Sequence, residues 1–245
     1  MVRNVDYESR KKSILAATIN RYIQSASAVS SEDIAREFGL SSATIRNVFA
    51  DMEKAGYLTH PYTSGGRIPT NKGYRYYVDF LVSQMQLLDT EKDSILKGYK
   101  REINRMEDAL ENTSEVLSAV THYASIVSIL DWQDRFFYKG ISFILEQPEF
   151  QDSTRIKLLI KMLEEKRNLL NIINREFKDK TMIYIGEELE FQEMNNCALV
   201  VARYSIKNKP LGRIAVLGPM RMEYQHIIPA LEYVSEVLSE VLDRI

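Results

Sequence analysis

The sequence predicts an α+β protein with a helical front, a long connecting helix and a mixed helix–sheet back. Three observations lead there. Between residues 12 and 56 apolar residues recur at spacings of three and four in short segments, two of them closed by glycine (Gly39, Gly56). From Ile103 to Val127 the same spacing runs on without a proline. After residue 150, amphipathic helical patterns bracket three apolar, β-branched runs at 181–186, 197–206 and 211–219. The expected divisions are residues 1–82, 83–130 and 131–245.

In the front part, Leu15, Ile19, Tyr22 and Ile23 form one stripe of a first helix. Ser30 is placed to cap a second, with Asp33 three residues on and Gly39 at its end. Ser41 or Ser42 caps a third, whose apolar face is Ile45, Val48, Phe49 and Met52. Two short helices joined by a tight glycine turn make a helix-turn-helix, in which the second helix enters the DNA major groove. Ser42, Thr44, Arg46 and Asn47 lie off the apolar stripe, and Arg and Asn suit guanine and adenine edges respectively. A merely solvated polar face is the other reading of the same residues.

The next stretch, PYTSGGRIPTNKGYRYY (61–77), has no acid. Gly65-Gly66 suits a two-residue hairpin turn with positive φ at both positions. Pro61 and Pro69 confine its flanks to edge strands. Three helices and a hairpin are a winged helix. Ser41, Thr63, Ser64, Gly65, Gly66, Arg67, Lys72 and Arg75 are the expected backbone-holding set, with Arg67 beside the wing tip. The alternative is a hairpin that only packs on the first helix. Thr70 caps the following helix, in which Tyr74, Tyr77, Val78 and Leu81 are spaced for the core.

Residues 89–128 read as one long helix with a heptad seam through Ile103, Met106, Leu110, Leu117 and Val120. That seam suits dimerisation or packing on its own domain. Beyond it, 153–177 reads as one amphipathic helix, Asn208-Lys209-Pro210 as a turn between strands, and the last segment as a helix kinked or restarted near Pro229.

Net charge is −2, but residues 1–82 carry 11 Lys/Arg against 8 Asp/Glu, so the front is mildly basic on an acidic body. One cysteine excludes an intrachain disulfide. The N-terminus has no apolar signal segment and no run suits a membrane helix, so a cytoplasmic location is expected. Three separated histidines offer no metal spacing, and no phosphate-binding or nucleophile motif occurs. Neither an enzyme, a metal nor a cofactor is expected.

The stretch SSATIRNVFADMEKAGYLTHPYTSGGRIPTNKGYRYYVD (41–79) resembles the signature of the HrcA heat-shock repressor family. FYKGISFILEQPEF (137–150), IYIGEE (183–188) and LGRIAVLGPMRMEYQHIIPALEYVSEVLS (211–239) are similar to it too. The resemblance implies a homodimeric winged-helix repressor of chaperone operons, acting on an inverted-repeat operator in double-stranded DNA. It further implies dependence on the GroEL chaperonin and a C-terminal GAF-like domain. Here a middle segment of the family is absent between YASIVSIL (123–130) and FYKGISF, so the GAF-like part is reduced. An alternative is a winged-helix regulator whose GAF-like domain senses a small ligand.

Overall fold

A computed structural model describes residues 2–61, 66–81, 86–99, 103, 105–132, 135–191, 194–207 and 209–245. The chain divides into two compact units, Met1–Ser83 and Gln84–Ile245.

The first unit contains α1 (Val2–Ser25), α2 (Ser31–Phe38), α3 (Ser42–Lys54), β1 (Leu58–Thr59), β2 (Ile68–Pro69) and α4 (Asn71–Leu81). Local chemistry sets the ends of α2 and α3. Ser30 accepts the Asp33 amide at 3.2 Å to start α2, and Gly39 ends it at φ 63°. Ser41 accepts the Thr44 amide at 3.1 Å to start α3. Gly56, at φ 77°, takes the chain out of it. The core is the one expected from spacing: Leu15, Ile19, Ile34, Ile45, Val48, Phe49, Tyr74, Tyr77 and Val78 are all buried. Tyr77 donates to Asn20 Oδ1 at 3.1 Å, fastening α4 to α1, and burial pushes its hydroxyl up to about 12.

The second unit contains α5 (Asp89–Gly98), α6 (Met106–Thr121), β3 (Ala124–Ile129), β4 (Phe136–Lys139), α7 (Ile141–Leu145), α8 (Ser153–Glu164), α9 (Lys166–Ile173), β5 (Thr181–Ile185), β6 (Cys197–Ile206), β7 (Lys209–Pro219) and α10 (Tyr224–Arg244). Its sheet has five strands in the order β4-β3-β7-β6-β5, with every neighbouring pair antiparallel. Helices α6 and α10 pack together on one face. The other face is covered by Ile144 of α7, Phe150, Leu169, Ile172 and Ile173 of α9, and Phe177.

Several expectations need correction. Residues 89–128 are not one helix: α5 and α6 are separate, and the chain turns into a strand at Ala124. His122 ends α6 in the left-handed region at φ 57°, its amide bonded to Ser118 O at 2.9 Å. The heptad seam therefore stops there. Leu110 and Leu117 are fully buried within this unit and are unavailable for pairing with a second chain. Ile103 precedes α6, and Ile103, Met106 and Val120 are half-buried. Thus 83–130 is no separate linker, since most of it builds the second unit. The sheet has two strands beyond the three legible ones, namely β3 and β4. The helix expected over 153–177 breaks at Glu165, whose ψ of 56° leaves the helical region. Helix α10 does not restart at Pro229, which lies inside it. The turn residue Asn208 lies outside the described residues.

Candidate nucleic-acid interface

Helix α3 presents two different faces. Ile45, Val48, Phe49 and Met52 face the core. Thr44, Arg46 and Asn47 are exposed, and Ser42 is half-buried. No acidic residue occupies the first turn, so the positive end of the helix dipole is uncompensated. Ser41 shares a 2.8 Å hydrogen bond with the Thr44 hydroxyl as well as capping the helix. Arg46 folds back along α3, donating to the Ser42 hydroxyl and the Ser42 carbonyl, each at 3.3 Å. The four residues expected to read bases therefore sit on the first two turns of one helix.

The wing is a short ladder, Leu58 opposite Pro69 and Thr59 opposite Ile68. Arg67 extends it by a bridge to Val29, with N–O distances of 2.8 and 2.9 Å. Thr63, Ser64 and Gly65, expected at its tip, lie outside the described residues. Gly66 is described, and a close approach constrains it. A Cβ there would lie 2.5 Å from the Val29 carbonyl oxygen. Glycine is required at this point because two backbones meet.

Arg67 also departs from expectation. Rather than projecting from the tip, its guanidinium holds Glu53 Oε2 at 2.9 Å, with the two side chains 23% and 20% exposed. The other oxygen of Glu53 takes His60 Nδ1. One carboxylate near the end of α3 thus clasps both strands at the base of the wing. Neither Glu53 nor His60 was legible as a functional residue in the sequence, since a helix-surface acid and a loop histidine carry no motif.

Lys72 donates to the Ala55 carbonyl at 2.8 Å, and its ammonium lies 4.6 Å from the centre of the Tyr57 ring. It closes the C-terminal end of α3 while remaining exposed. Arg75 is 3.4 Å from Asp79 one turn along α4. Thr70 caps α4 through the Gly73 amide at 3.1 Å and donates to the Gly56 carbonyl at 2.6 Å. The residues after the wing are thereby fixed to the helix before it.

A helix-turn-helix with a clasped two-stranded wing defines a winged-helix DNA-binding domain of the transcription-repressor class. Two sequence models of one family match the chain. "Winged helix-turn-helix transcription repressor, HrcA DNA-binding" covers residues 7–79, and "HrcA protein C terminal domain" covers 128–228. The chain belongs to the HrcA family of transcription repressors, which are regulators and not enzymes. The heat-inducible transcription repressor HrcA of Desulforamulus reducens is 29% identical over 339 positions, covering 97% of this chain and 98% of that protein. That of Brevibacillus brevis is 27% identical over 332, covering 95% and 97%. Because the chain has 245 residues, a substantial stretch of each relative has no counterpart here. Among solved structures, the crystal structure of a hypothetical protein is similar with a TM-score of 0.78 and 17% identity, covering 96% of this chain and 97% of that one. It establishes likeness of fold.

Proposed function

We propose that this protein represses heat-shock chaperone operons by binding an inverted-repeat operator as a homodimer, with activity modulated by the GroEL chaperonin. The observation that carries the reading is the exposed, acid-free start of α3, bearing Thr44, Arg46 and Asn47. Arg46 would leave Ser42 to pair with a guanine edge, and Asn47 would meet adenine. Ser42 and Thr44 supply short hydroxyl contacts. Ser41, Lys72, Arg75 and the wing residues Thr63, Ser64, Gly65, Gly66 and Arg67 hold the sugar-phosphate backbone. For Arg67 that role requires exchange of Glu53 for a phosphate. The heat-inducible repressor name of the relatives supports the gene class, and the family resemblance supports the chaperonin. Among the described residues no helix is long and apolar enough to cross a membrane, which is compatible with action in the cytoplasm.

A gel-shift experiment with an inverted-repeat duplex and a scrambled duplex, each with and without GroEL, tests this. Selective retardation of the inverted repeat, with a larger active fraction in the presence of chaperonin, is expected. Equal affinity for both duplexes removes operator recognition, and an unchanged active fraction removes chaperonin control.

A further inference from the structure

On the sheet face that carries Leu199, Val201, Ala215 and Leu217, the pleat brings Arg203 of β6 and Arg213 of β7 to the same side. The ladder places them directly opposite each other. Ser128 of β3 follows in the same row, opposite Arg213, and its hydroxyl donates to Asn174 Oδ1 at 3.2 Å. Both guanidinium groups lie over the ring of Phe177, at 5.1 and 5.6 Å from its centre. Like charges directly opposite in a ladder are destabilising.

Arg213 is the more unusual of the two. It is 5% exposed, and among the described residues no other charged side chain is so buried. Among the described residues its Nε has no hydrogen-bond partner, and its Nη1 donates only to the carbonyl of its own neighbour, Gly212, at 3.2 Å. Arg203 donates to the Lys178 carbonyl at 3.1 Å. The acid whose charge reaches Arg213 is the exposed Glu176, which forms no ion pair with it. Nearby Arg175 is already occupied by Glu190 at 2.8 Å. Arginine does not discharge by losing its proton, and an uncompensated buried charge is costly. Two forks converging on one aromatic ring, beside a hydroxyl and a carboxamide, match the oxygens of a carboxylate or phosphate.

We propose that the second unit binds a small free oxyanion between Arg203 and Arg213, with Ser128 and Asn174 at its side. The site is independent of the DNA-binding face and stands or falls without it. The bound anion supplies the directly paired counter-charge that Arg213 lacks among the described residues, so occupancy and stability of the second unit are linked.

The experiment uses the full chain and follows thermal unfolding during titration with inorganic phosphate or acetate, with sodium chloride at matched ionic strength as control. A saturable rise in Tm of a few degrees with an oxyanion, but not with chloride, is expected. Arg203→Gln should weaken the apparent affinity at least tenfold, and Arg213→Met should abolish the rise. A response to phosphate alone or to acetate alone also supports the site and assigns its geometry as tetrahedral or planar. A flat titration in the wild type overturns the proposal. So does a rise that survives unchanged in Arg203→Gln, the variant that keeps the buried arginine and the fold.

Discussion

Glu53→Ala probes the clasp at the base of the wing. The mutation removes the acceptor of Arg67 at 2.9 Å and of His60 at once. A hydrogen bond to a charged group contributes about 1.5–3 kcal/mol where it is buried, and an exposed ion pair about 0.2–1 kcal/mol. With the Glu53 and Arg67 side chains about one-fifth exposed, the loss should lie between these, about 1–2 kcal/mol. A double-mutant cycle with Arg67→Ala, read by urea unfolding of the full chain, isolates the pair from general effects of each truncation. The coupling should reach about 1 kcal/mol, and values within about 0.3–0.5 kcal/mol of zero would mean that the two sites act independently. That result would refute the clasp. On DNA the same variant has an opposite signature. It removes a negative charge from beside Arg67, so the salt dependence of duplex binding should steepen by about one phosphate contact.

Arg46→Ala should weaken operator binding by about 1–3 kcal/mol and relax preference at one base position; equal loss on random duplex would argue against base readout. Gly66→Ala should destabilise the first unit, because the new Cβ would meet the Val29 carbonyl at 2.5 Å, and wild-type stability would contradict that close approach. Leu117→Ala should cost about 2–5 kcal/mol in unfolding of the second unit, whereas a change confined to sedimentation would restore the pairing seam. Cys197 is buried and its thiol is pushed up to about 12 by burial, so the protonated form is the one favoured by folding. That contribution is whole below the unfolded thiol value near 8.5 and is lost as pH rises toward 12. Alkylation of the native protein at neutral pH should be far slower than in urea, and equal rates would contradict the burial.

The parts of the fold that were legible are those written in short-range chemistry. Ser30, Gly39, Ser41 and Gly56 announce their helix ends within a few residues, and the stripes of α1 to α4 follow from spacing alone. The strand β3 was hidden because all six of its residues are buried. It therefore shows no alternation, and Ala124 and Val127 continue the three-and-four spacing of the helix before it. Glu165 breaks a helix with no glycine or proline to mark it. At the candidate interface, the residue types and the helix were readable, but the partners were not. Glu53 is fourteen residues from Arg67, and only the closed wing makes them neighbours. Gly66 was readable as a special position, yet the approach of the segment before α2 was not, because it is a tertiary fact.

Strand β4 stands at the edge of the sheet. Among the described residues it pairs only with β3, so the ladders linking β3, β7, β6 and β5 do not draw on it. Chain length can change at that rim without re-registering the four strands behind it. The protein accordingly carries a natural grafting port, where a reporter or an affinity module could be spliced into the second unit while its hydrogen-bonded frame stays in register.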